Sequence, residues 1–126
     1  RPADAVVHLE EAVALYRGPF LDGTDAEWCL EERRRWERRY LEALERLAAL
    51  YAAAGQPREC LAVATRLLTL DPLREDIHAL VIRAHLRLGD RAAALRHFER
   101  VATLLRAELG VEPGAELRAL LRRIRA

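Results

Sequence analysis

Apolar residues recur every three or four positions along most of this chain, in stretches cut by glycine and proline, and that spacing predicts helices. Val6, Leu9, Val13 and Tyr16 mark a first helix over 3–17, which Gly18-Pro19 stops because proline restricts the residue before it and cannot extend the hydrogen-bond ladder. The connector that follows, 18–24, carries Phe20 and Leu21, two buried-type residues that suggest a loop folded back onto the core. Thr24-x-x-Glu27 has the form of a capping box and predicts a long helix from about Asp25 to Ala54. Its apolar stripe runs through Cys29, Trp36, Tyr40, Leu44, Leu47 and Tyr51, and Glu31–Arg35, Arg38–Glu42 and Glu42–Arg46 are i,i+4 pairs for its outer face. A break near residue 35 also fits the pattern.

Gly55 ends that helix and Pro57 opens the next, the usual asymmetry of glycine after a helix and proline at its start. Helix 57–70 places Leu61, Ala64, Leu67 and Leu68 inward, and Asp71-Pro72 punctuates. Helix 73–88 turns Ile77, Leu80, Val81, Ala84 and Leu88 inward; helix 91–109 does so with Ala94, Leu95, Phe98, Val101 and Leu105. After the connector 110–114, helix 115–125 carries Leu117, Leu120, Leu121 and Ile124 on one stripe. Gly55 and Gly89 stand 34 residues apart, and the helical patterns around them repeat at that offset. Such a period signals stacked helical hairpins, none of which can bury its apolar face alone.

The layout resembles tetratricopeptide (TPR) units. Leu44, Leu47, Ala48, Tyr51, Gly55, Cys60, Leu67 and Pro72 fill one unit; His78, Val81, His85, Gly89, Ala94, Phe98 and Val101 take equivalent places in a second, with Arg106 where proline would stand. The expectation is an all-α, TPR-like stack of antiparallel hairpins with a C-terminal capping helix: one domain over 1–126, units at about 41–74 and 75–108, preceded by a half unit at 3–17. Five further segments occur in order: Ala-Leu-Tyr-Arg-Gly-Pro-Phe-Leu (14–21), Glu-Trp (27–28), Glu-Glu-Arg-Arg-Arg (31–35), Asp-Pro-Leu-Arg-Glu-Asp (71–76) and Glu-Leu-Gly-Val-Glu-Pro (108–113). Together they resemble the bacterial transcriptional activation domain of SARP-type antibiotic regulators. The resemblance implies a winged-helix DNA-binding domain before Arg1, RNA polymerase as a partner, and a role in activating biosynthetic genes.

Composition narrows the function classes. The 21 basic residues are all arginine and 20 carboxylates nearly cancel them, so the net charge of +1 supplies no general attraction for nucleic acid or membrane. No direct sequence-specific DNA binding by this chain is expected. The absence of methionine, at position 1 included, is expected of a processed or excised segment. No signal-peptide pattern appears, the longest apolar run (47–54) is too short for a bilayer, and two cysteines without metal or disulfide spacing point to a reducing cytoplasm.

Candidate chemistry is sparse. His78 and His85 lie seven residues apart on one helix, two turns, too far for one metal ion without help, and both fall at positions that normally carry packed aromatics. Cys60 sits where two helices approach closely and reads as a structural thiol. No nucleophile–base arrangement, phosphate-cradling loop or paired-carboxylate site emerges, so no catalytic, cofactor or metal residues are assigned and a non-enzyme is expected. The candidate surfaces are for protein. Arg34 and Arg38 belong to the basic stretch 33–39; Phe20 and Leu21 sit on the connector. TPR grooves are lined by the first helix of each hairpin, here Glu42, Glu45, Ala49, Ala52 and Ala53, then Asp76, Ala79, Arg83, Leu86 and Arg87. Arg83 and Arg87, one turn apart, would fork onto a partner carboxylate unless the terminal helices fill so short a groove. Homodimerisation is left open. The alternative function is a peptide-binding TPR scaffold in a multidomain signalling ATPase or kinase.

Overall fold

A computed structural model describes the backbone of residues 2–16 and 27–126, and side chains within 4–14 and 30–126. Six helices are described: α1 (Pro2–Tyr16), α2 (Glu27–Ala53), α3 (Pro57–Leu70), α4 (Glu75–Arg87), α5 (Arg91–Leu109) and α6 (Ala115–Arg125). No strand occurs among the described residues. The fold is all-α and TPR-like. Residues 18–24, with Phe20, Leu21 and the first half of the capping box, lie outside the described residues.

The 34-residue period is written into the backbone hydrogen bonds. Gly55 N–H donates to Ala52 O (3.2 Å) and Gln56 N–H to Tyr51 O (2.9 Å); Gly89 N–H donates to Leu86 O (3.0 Å) and Asp90 N–H to His85 O (2.9 Å). Both glycines are left-handed, with φ of 71° and 75°. This is the Schellman closure, which satisfies the last helical carbonyls and needs a residue without a Cβ penalty. The hairpins then start their second helices differently. Pro57 opens α3 without a side-chain cap, whereas Asp90 caps α5 by accepting from Ala93 N–H at 3.0 Å.

Two apolar clusters hold the stack. One joins α1, α2, α3 and α4 through Val13, Leu44, Leu47, Cys60, Leu67 and Val81; the other joins α4, α5 and α6 through Ile82, Phe98, Leu105, Leu117, Leu120 and Ile124. Small residues set the spacing: Ala48, Ala64, Ala79 and Ala94 are fully buried. Cys60 behaves as one of them, its thiol donating to Ala48 O at 3.5 Å. Burial raises its pKa, so it is an inert structural thiol.

Several local expectations differ from the structure. α2 runs unbroken through residue 35, because no proline or glycine interrupts its 27 residues. Among the described residues its three expected i,i+4 ion pairs do not form; Arg35 reaches Glu32 at 3.1 Å instead. Exposed pairs of this kind gain little, and water competes for both charges. Helix α4 begins at Glu75, not 73, leaving Leu73 and Arg74 in the connector. Leu88, expected inward, caps α4 and is exposed, because the helix ends just before its side chain would meet the core.

Candidate interaction surfaces

The segment Asp-Pro-Leu-Arg-Glu-Asp (71–76) ties the stack together. Arg74 holds Asp76 with two hydrogen bonds (3.0 and 2.8 Å) and reaches across to Glu45 of α2 at 2.5 Å. These bonds favour the charged forms, holding the Asp76 carboxyl below its usual range and the Arg74 guanidinium above. Glu75 accepts from Gly114 N–H at 2.8 Å, placing a carboxylate at the start of α6. Leu73 packs on the second cluster. Leu73, Arg74 and Glu75 thus join the motif to the second cluster, to α2 and to the start of α6.

Helix α6 is fixed at both ends. Arg91, at the start of α5, donates to Ile124 O from Nε (3.0 Å) and Nη2, and to Ala126 O at 3.1 Å, so a cation caps the negative end of the α6 dipole. Along its length α6 lies over α4, and Arg83 pairs with Glu116 at 2.8 Å. Ala79, expected to line an open groove, is fully buried in the cluster α6 completes, and Leu86 packs against it. Arg87 donates to Ala52 O at 2.6 Å, at the exposed carbonyl end of α2. Arg83 and Arg87 border one small cavity with Ala52, Cys60 and Leu80, but their polar contacts go separately to α6 and to the end of α2. Arg106, which stands where a TPR unit would have proline, makes hydrogen bonds of 2.9 to 3.0 Å to Glu112 on the connector before α6.

On the N-terminal half of α2, Arg34 and Arg38 are exposed and line one surface depression with Glu31, Arg35, Glu37 and Leu41. Among the described residues neither arginine has an ion-pair partner within 4.0 Å. Arg39 instead lies over the Trp36 ring, 5.6 Å from its centroid, a cation–π contact. Arg34 and Arg38 thus border the same depression, whereas Phe20 and Leu21 lie outside the described residues.

The feature the sequence did not announce is a buried histidine pair. His78 of α4 and His97 of α5 are 6% and 9% exposed, with Nδ1 of His78 2.9 Å from Nε2 of His97. His78 Nε2 lies 2.7 Å from Pro72 O, and Arg100 Nη2 lies 3.1 Å from His97 Nδ1. A carbonyl only accepts and a guanidinium only donates, so one tautomer assignment satisfies the whole chain. Arg100 donates to His97, His97 to His78, and His78 to Pro72 O. Both rings are neutral in that arrangement, and burial lowers both pKa values, that of His97 to about 4, with the neighbouring His78 and Arg100 adding to the effect. The guanidinium on His97 Nδ1 is incompatible with a cation on that ring. Among the described residues no three His, Cys, Asp or Glu side chains converge as metal ligands. No described helix is long and apolar enough to cross a membrane.

The sequence matches the bacterial transcriptional activator domain family over residues 1–125. The chain belongs to that family. Among curated relatives it is similar to the transcriptional regulator RedD of Streptomyces coelicolor, 35% identical over 93% of this chain and 34% of the relative. It is also similar to the regulatory protein AfsR of Streptomyces griseus and of Streptomyces coelicolor, 34% and 32% identical over 90% and 92% of this chain. The chain spans about a third of RedD and only 11% and 12% of the two AfsR proteins. No solved structure matches it significantly. The resemblance carried by the five ordered segments is therefore a family relationship.

Proposed function

We propose that this activator domain is the regulatory, protein-interaction part of a SARP-like activator of secondary-metabolite biosynthesis, coupling an adjacent winged-helix DNA-binding domain to RNA polymerase in the cytoplasm. The observation that carries the reading is the family match over nearly the whole chain. The regulators it resembles are several times longer, which leaves room in such proteins for separate DNA-reading parts. The domain acts by contact, without catalysis. A net charge of +1 leaves little counterion-release affinity, so promoter choice falls to the neighbouring domain. The peptide-scaffold alternative is disfavoured because α6 lies over the face a TPR ligand would use.

Arg34 and Arg38 are the proposed contact to the transcription machinery, with Phe20 and Leu21 as a second element of that surface. In a regulator carrying this domain, Arg34→Glu with Arg38→Glu should reduce transcription in a purified polymerase assay several-fold. Operator binding in a gel-shift assay should stay unchanged. Loss of both activities together, or footprinting of an operator by residues 1–126 alone at physiological salt, overturns the reading.

A further inference from the structure

We propose that the outer groove between α3 and α5, on the side away from α6, docks an acidic amphipathic helix of a partner protein. The groove is built from three helices. Leu61 and Leu68 of α3 and Val81 of α4 form an apolar floor, with Thr65 and Thr69 on one wall and His85, His97 and Arg100 on the other. Leu61 and Leu68 are only half-buried, and Thr65 is exposed. From residue 61 to 69, α3 offers about 12 Å of length, room for roughly two turns of a second helix. An amphipathic helix laid into a groove is read by apolar anchors spaced three and four residues apart.

Charge decides which helix. Arg100 is anchored from behind: one N–H is given to His97, which is itself held through His78 to the Pro72 carbonyl. Its other donors remain for a ligand, and among the described residues neither Arg100 nor Arg96, one turn earlier, has an ion-pair partner. No carboxylate is among the residues lining the groove; Glu99 lies on the adjoining surface with Arg96 and His85. A guanidinium held in place beside apolar side chains suits carboxylates carried next to leucines. The apolar floor and the scarcity of cations favour protein over a phosphate backbone. This inference goes beyond the proposed function, and its outcome does not depend on whether the domain activates transcription.

The test is fluorescence anisotropy with a labelled peptide of about three helical turns, leucines at i, i+4 and i+7 and glutamates on the flanks. Saturable micromolar binding is expected, weakened about tenfold by Arg100→Ala, the scale of one lost charge-assisted contact. Thr65→Arg provides the sharper arm, since it adds a positive charge while filling the groove. If the groove is the site it weakens binding; if charge alone attracts the peptide it strengthens binding, and the proposal fails. Both positions are exposed, so circular dichroism should show intact helices. The proposal is also overturned by an absence of saturation, by equal loss on Arg34→Glu, or by displacement of the peptide by duplex DNA at physiological salt. Sedimentation showing that Thr65→Arg dissolves a dimer would assign the groove to a second copy instead.

Discussion

Acid should weaken this domain in a window set by its buried histidines. His97 is held neutral in the fold with a pKa of about 4 and titrates near 6.5 when unfolded. Because the folded value is the lower one, the unfolded chain takes up the proton first. The His97 contribution to stability is full above about pH 6.5, declines as pH falls towards 4, and changes no further below, once both states are protonated. The difference amounts to about 3 kcal/mol at the acid end and about 2 kcal/mol near pH 5. Against the roughly 5–15 kcal/mol of a typical domain that is a large fraction. The groups acting on His97 are His78, Arg100 and His85, with Glu75 and Asp76 acting on His78; the lowered Asp76 carboxyl titrates below this window. Urea unfolding followed by circular dichroism across the range supplies the measurement, run beside His97→Gln, whose amide keeps a donor for His78 Nδ1 and does not titrate. The variant should show a shallower slope between pH 6.5 and 4, with the part due to His78 and His85 remaining, and stay close to wild type at neutral pH. Parallel curves for the two proteins would refute the assignment of a neutral His97.

Two further outcomes follow from the turns and the capping helix. Gly89→Ala should cost about 1 kcal/mol, because a Cβ there meets nothing within 4 Å and only the left-handed backbone objects; thermal unfolding reads it. Arg91→Ala should lower hydrogen-exchange protection of the last turn of α6, where its carbonyl contacts are lost, and leave the α2–α3 hairpin unchanged.

The fold was legible because its signals are local. Gly55, Gly89 and Gly110 each end a helix in the left-handed conformation, and the 3.6-residue stripes named most of the buried residues. What escaped depends on pairing across helices. His97 lies on the same stripe as Ala94, Phe98 and Val101, a signal that it is buried, but nothing local shows that its ring meets one 19 residues earlier. Arg74 stands among the acidic residues of the 71–76 segment, but Glu45, which it also holds, is on another helix. The α2 ion pairs were over-read for the opposite reason: the spacing permits them, but their gain is too small to fix long side chains. Of the candidate contacts, Arg34, Arg38 and Arg87 are exposed and Arg83 is half-buried, and Arg83 and Arg87 also have polar partners within the chain.

The position of α6 bears most directly on how the domain can act. Leu117, Leu120 and Ile124 are at most 4% exposed, and burying such side chains is worth about 1.5–3 kcal/mol each. Together that approaches the stability of a small domain and the free energy of a micromolar complex, about 8 kcal/mol. A ligand seeking the concave face would compete with a segment joined to α5 by a connector of five residues, at an effective concentration in the millimolar range. It would also have to undo the Glu75 and Arg91 contacts that complement the α6 dipole. Helix α6 is thus a structural member of the core and not a displaceable plug. That leaves the faces α6 does not cover, among them the two proposed above, the basic half of α2 and the groove between α3 and α5.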